Sequence, residues 1–65
     1  MYYIIKVNKQ YVERVGMWTQ FTWFKENAQR FADEDEAEAA IEEMLMYGFY
    51  RNFDRADVTV IPCEK

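Results

Sequence analysis

Carboxylates are the side chains of this chain with the widest choice of chemistry. Glu34, Glu38 and Glu42 recur every four residues, a spacing that places them in one row along a helix. Three further acids broaden that row: Asp35, Glu36 and Glu43. Paired carboxylates hydrolyse glycosides or hold divalent metals, but both uses need a concave site or converging elements. One exposed helix in a short chain offers little concavity, so we predict no catalytic residue, no metal site and no enzyme.

Other chemistry is limited by the residue types that are missing or rare. The sequence has no histidine, which excludes histidine bases, histidine triads and histidine zinc sites. Its single cysteine, Cys63, has no histidine or second cysteine to support metal binding or thiol catalysis. With two glycines it contains neither GxGxxG nor GxxxxGK[ST], the motifs whose backbones cradle phosphates. We therefore predict no cofactor.

The acids must be positioned by a helix, which the stretch 33–48 predicts. Asp33 can accept from the amides of the first turn, and Glu36 completes a D-x-x-E capping box. Gly48 suits the left-handed position that ends a helix. The apolar residues recur at the spacings of one helical face: Ala37, Ala40, Ile41, Met44 and Leu45.

Before and after this helix the period changes to that of strands. Residues 2–7 alternate, with Tyr3, Ile5 and Val7 on one face. Residues 10–15 alternate in the same way after the short link Asn8-Lys9, with Val12 and Val15 on opposite faces. The two runs together predict a β-hairpin. Residues 57–61 predict a last strand, which Pro62 stops, and residues 63–65 predict a tail.

Residues 18–24, WTQFTWF, predict a third strand with a large aromatic on each face. Trp18 and Trp23 could either shield an edge of the sheet or remain exposed and anchor a partner. The residues that follow predict a polar turn at 25–28 and a short extended piece at 29–31, with Phe31 buried.

These elements predict one α+β domain spanning residues 1–65. We expect a β-β-β-α-β order, in which an antiparallel sheet of three to four strands carries one helix on one face. The apolar helix face would cover Tyr3, Ile5 and Val7, since a lone hairpin or a lone short helix is marginal in water. The last strand would return beside the first.

Composition bounds the cellular setting and the partners. Small secreted domains are usually rich in disulfides, and one cysteine together with the absence of a signal-peptide pattern predicts a cytoplasmic protein. No apolar run approaches a membrane span. The formal net charge of −4 argues against direct binding to nucleic acid or to anionic lipid.

Two surfaces are candidates for binding a protein partner. The first is the acidic helix face, which contains seven of the twelve acidic residues and no Lys or Arg. Such a face is either solvated or used for recognition, and like charges four residues apart weaken a helix. Charges about 6 Å apart on one row would imitate a phosphate backbone. Its predicted binding residues are Glu34, Asp35, Glu38, Glu42 and Glu43.

The second candidate surface is the aromatic segment just after the helix. It contains large residues and an arginine, the types enriched at binding hot spots: Tyr47, Phe49, Tyr50, Arg51 and Phe53. Phe49 and Phe53 could equally be core plugs, and a homodimer contact would use the same residues.

Two stretches, YYIIKVNKQYV and AQRFADEDEAEAAIEEM, resemble small intracellular phage and prophage proteins. Those proteins have a Y-x-I-K-V-N-x-x-Y-V hairpin before an A-x-R-F segment and an acidic, Ala-rich helix. The resemblance covers residues 2–15 and 28–44, but not residues 18–24 or FYRNFDR. It implies a phage-encoded inhibitor of a host nucleic-acid-handling complex, as some anti-CRISPR proteins are, and it transfers no functional residue. The alternative is a structural or interaction module, either a homo-oligomer or a phage particle subunit.

Overall fold

A computed structural model of the chain describes residues 1–16, 19–47 and 55–64. Its strands form one antiparallel sheet in the order β3-β2-β1-β4, and one helix, α1, packs on β1 and β4. The predicted α+β class, the order of elements and the return of the last strand beside the first are confirmed. The bounds are Tyr2–Val7 for β1, Gln10–Arg14 for β2, Gln20–Thr22 for β3, Glu34–Tyr47 for α1 and Val58–Cys63 for β4, with 3₁₀ turns at Lys25–Asn27 and Arg55–Asp57.

The predicted hairpin is present and is closed by Asn8. Val7 pairs with Gln10 across the two-residue link, and Asn8 has a positive φ of 55°. Asparagine adopts this left-handed conformation more readily than other non-glycine residues. The sequence Asn-Lys is therefore sufficient for the turn.

Residues 29–31, just before α1, lie between β1 and β2 where these two strands no longer pair with each other. The Gln29 amide donates to the Val12 carbonyl at 2.9 Å, and Tyr3 exchanges two backbone hydrogen bonds with Phe31, at 2.9 and 2.8 Å. Phe31 is buried, which confirms the predicted extended piece and its buried aromatic. The sheet thus holds the start of the helix directly.

A β-bulge in β2 changes which side chains face the helix. Val12 pairs with Phe21 and the next pair is Arg14 with Gln20, so β2 contains one extra residue. Strict alternation predicted Val12 and Val15 on opposite faces, and this was wrong. Both pack in the helix-side cluster, because the bulge shifts the alternation by one residue.

The main core lies between α1 and the sheet. The predicted covering of Tyr3, Ile5 and Val7 by the helix is confirmed. Leu45, predicted in the buried stripe, is instead 38% exposed. It occupies the edge of the apolar face, eight residues after Ala37, so the sheet covers a narrower stripe than the full pattern. The buried cluster comprises Ile5, Val7, Val12, Phe31, Ala37, Ala40, Ile41, Met44 and Val58.

A second, smaller cluster covers the opposite face of the sheet. Its buried members are Ile4, Ala28 and Cys63, with Tyr2, Tyr11 and Ile61 packed around them. Cys63, assigned from the sequence to a tail, is therefore part of the packing. Residues from both ends of the chain meet here.

Pro62 was expected to stop the last strand, and it does not. β4 continues to Cys63, and Pro62 stands opposite Tyr3. Tyr3 uses its N–H and C=O on Phe31, so this position makes no ladder hydrogen bond. The missing proline N–H then faces away from β1, on the outer edge where proline is tolerated.

The third strand is shorter than predicted, Gln20–Thr22 instead of residues 18–24. The Thr22 hydroxyl accepts from the Phe24 amide at 3.1 Å, and the 3₁₀ turn follows. This local hydrogen bond turns the chain out of the ladder. Trp18 lies outside the described residues.

The predicted cap of α1 is confirmed with one adjustment. The Glu36 amide donates to Asp33 Oδ1 at 2.8 Å, as a capping box requires. The Glu36 carboxylate reaches back to the Ala32 amide at 3.0 Å, one residue earlier than the usual partner. The expected stop at Gly48 lies outside the described residues.

Candidate functional site

Folding divides the acidic helix face into an outer face and two flanks. Glu34, Asp35 and Glu42 are exposed, whereas Glu38 and Glu43 are half-buried. At about 100° per residue, Asp35 and Glu42 point away from the buried Ile41 side. We call Asp35 and Glu42 the outer acidic face; Glu34, seven residues before Ile41, is exposed at the first turn but lies nearly in line with it along the helix.

The flank toward β4 is neutralised, which corrects the expectation of acids without a balancing cation. Arg55 Nη2 lies 2.9 and 3.1 Å from the two Glu38 oxygens. Arg55 Nη1 also donates to the Val58 carbonyl at 2.9 Å. Both side chains are about half exposed, so the pair adds at most about 1 kcal/mol. Its larger effect is to remove Glu38 from the middle of the predicted charge row.

The other flank borders an open groove of about 340 Å³ between α1 and residues 29–31. Glu43 and Glu36 line it on the helix side, and Phe31 and Ala40 contribute apolar surface. The sequence predicted little concavity, and it missed this groove. The signal was present in the adjacent small residues Ala39 and Ala40, which leave room beside the helix.

The aromatic segment remains a prediction. Tyr47 is the last residue of α1, and its side chain lies outside the described part. Phe49, Tyr50, Arg51 and Phe53 lie outside the described residues as well.

A different aromatic pair is exposed in the described structure. Trp23 is 64% and Phe24 62% exposed, at the point where β3 gives way to the 3₁₀ turn. The sequence left open whether Trp23 shields an edge of the sheet or stays exposed, and the structure shows that it is exposed. The polar run directly after it was the available signal.

Two cations lie over tyrosine rings next to the second cluster. Arg30 Cζ is 4.5 Å from the centroid of the Tyr2 ring, and Lys6 Nζ is 5.8 Å from that of Tyr11. Both distances fit cation–π contacts. Since Lys6 alternates with the buried Val7, positive charge gathers on the sheet face opposite the helix, while the carboxylates gather on α1.

Residues 1–16, 19–47 and 55–64 contain neither a metal-binding cluster nor a membrane-spanning helix. No group of three or more Asp, Glu, Cys or His side chains there is arranged to hold a metal ion. None of the helices there has both the length and the apolar character of a membrane span.

Fold and site together define a class: an α+β domain whose single described α-helix lies on a four-stranded antiparallel sheet and presents carboxylates outward. Comparisons of the chain with protein-family models, with curated proteins and with solved structures returned no match.

Proposed function

We propose that this chain is a non-enzymatic, phage-encoded inhibitor that binds a nucleic-acid-handling complex of its host. The outer acidic face of α1 would dock against a basic groove of that complex, in place of nucleic acid. The observation that carries the proposal is the exposure of Asp35 and Glu42 on one rigid helix, neither of them in an ion pair among the described residues.

Rigidity supports recognition over simple solvation. The helix is fixed at its start by the Asp33 cap and by Phe31 in the sheet, and along its length by Ile41 and Met44 in the core. Charges held on such an element lose little conformational freedom on binding. Complementary charge also speeds the encounter with a basic partner and selects it.

The test is a binding measurement on the captured complex. A pull-down from bacterial lysate identifies the complex, and titrations then measure its affinity for the wild type and for the double variant Asp35→Asn/Glu42→Gln. We expect the variant to bind about tenfold more weakly or worse, because charge complementarity is lost. Wild-type affinity should fall steeply with salt, and duplex DNA should compete.

The matched control is Glu38→Gln, which also removes one carboxylate but from the Arg55 pair. It should bind as the wild type does, within about twofold. Affinity that is unchanged at high salt, or equal in wild type and double variant, would exclude electrostatic docking by this face.

The exposed pair Trp23 and Phe24 favours a second candidate function, a self-associating structural module. Adjacent exposed aromatics are typical anchors of interfaces. Under this alternative, sedimentation velocity would show a mass that rises with concentration, and Trp23→Ala would abolish the rise. A monomer mass at every concentration would count against self-association.

A further inference from the structure

The groove beside α1 has a floor and a wall suited to an aliphatic stem. Its floor is formed by Val15, Phe31 and Ala40. On the helix side, the small side chain of Ala39 leaves the groove open. Phe31 and Ala40 are buried members of the main core, so this apolar surface is fixed in place. The opening is about 340 Å³, enough for one long side chain.

Negative charge stands at the helix side of this floor. Glu43 is half-buried, and no hydrogen bond or ion pair engages it among the described residues. Glu36, two turns earlier, accepts a hydrogen bond from the Ala32 amide through one carboxylate oxygen. A half-buried carboxylate beside apolar surface gains more from a cation than an exposed one does.

The polar residues of the opposite rim are already occupied. The Gln29 side chain accepts from the Val15 amide at 3.0 Å, and the Arg30 guanidinium lies over the Tyr2 ring. Neither donates to Glu43. Among the described residues, the groove therefore combines a small apolar floor with a carboxylate that no cation pairs.

We propose that this groove binds one arginine side chain of a protein partner. The methylene stem would lie on Phe31 and Ala40, as long cationic side chains do on apolar surface, and the guanidinium would bind Glu43. Arginine is favoured over lysine because its planar fork binds a carboxylate through two hydrogen bonds. The inference rests on the proposed function, since it names what a basic partner presents to this flank of α1.

The experiment is an NMR titration of the ¹⁵N-labelled chain at low ionic strength. The probe is acetyl-Gly-Arg-Gly-amide, and the matched control is the same peptide with citrulline, which has the shape of arginine without its charge. We expect saturable shifts of the Val15, Ala39 and Ala40 amides with the arginine peptide alone. Glu43→Gln should weaken binding about fivefold or more.

A second variant separates filling of the groove from loss of charge. Ala39→Leu fills the space at an exposed helical position where leucine is well tolerated, and it should abolish the shifts while the circular dichroism spectrum stays unchanged. Equal binding of the citrulline peptide, or shifts that do not saturate and centre on Asp35 and Glu42, would overturn the proposal. A lysine peptide that binds as tightly would overturn the choice of arginine.

The two proposals fail separately, because the peptide titration needs no captured complex. If the peptide leaves the groove amides unmoved while Asp35→Asn/Glu42→Gln still weakens docking, the groove assignment is wrong and the proposed function stands. If the peptide binds and the double variant docks normally, the proposed electrostatic docking is wrong.

Discussion

Ile41→Ala is expected to lower the free energy of unfolding by about 2–5 kcal/mol. Ile41 is fully buried in the main core, between α1 and the sheet, and truncation leaves a cavity there. A domain of 65 residues has a total stability of roughly 3–10 kcal/mol at the usual 0.05–0.15 kcal/mol per residue. The variant should therefore lose a large fraction of the total stability, which a urea titration followed by circular dichroism would show as a lower unfolding midpoint.

The control for this prediction is Leu45→Ala on the same helix. Leu45 belongs to the same sequence pattern as Ile41 but is 38% exposed, so its truncation should cost less than about 1 kcal/mol. The two variants together locate the edge of the buried stripe. Equal losses would mean that Leu45 is covered and that the helix packs over a wider face.

Phe31→Ala is expected to cost about 3–5 kcal/mol. Phe31 is buried at 6% exposure, and its backbone is bonded twice to Tyr3. Losing the ring removes the apolar contact between the sheet and the start of α1. Thermal unfolding should show a fall in melting temperature on the order of 10 °C or more for a domain of this size.

Phe24→Ala is the matched control, since it removes the same side chain from an exposed position. Phe24 is 62% exposed, and its backbone hydrogen bonds do not depend on the ring. Its melting temperature should stay within about 3 °C of the wild type. A large loss at Phe24 with little at Phe31 would contradict the packing described here.

The elements that could be predicted are those encoded by neighbouring residues. Asp33 and Glu36 are three positions apart, and their cap follows from that spacing alone. The Asn8 turn and the alternation around Ile5 are likewise local, as is the spacing of Ala37, Ile41 and Met44. Local periodicity was sufficient for the fold class and for the buried helix face.

Features that depend on distant partners could not be predicted. The Glu38–Arg55 pair joins residues 17 apart, and no local period encodes it. The bulge in β2 depends on how β3 pairs with it, and the burial of Cys63 depends on Ile4 and Ala28 from other elements. The groove next to Glu43 exists because residues 29–31 lie beside the helix, a tertiary arrangement.

The position of Pro62 in β4 has a consequence for how other chains can approach. Among the described strands β4 ends the sheet, and its outward backbone groups belong to Val58, Val60 and Pro62. The Val58 carbonyl already accepts a hydrogen bond from Arg55, and Pro62 has no N–H. Of these three residues, only Val60 therefore has both its N–H and its C=O available to pair with an added strand. An added strand needs a run of such groups. This edge is therefore protected against edge-to-edge aggregation, and a partner that binds at β4 must be recognised through side chains.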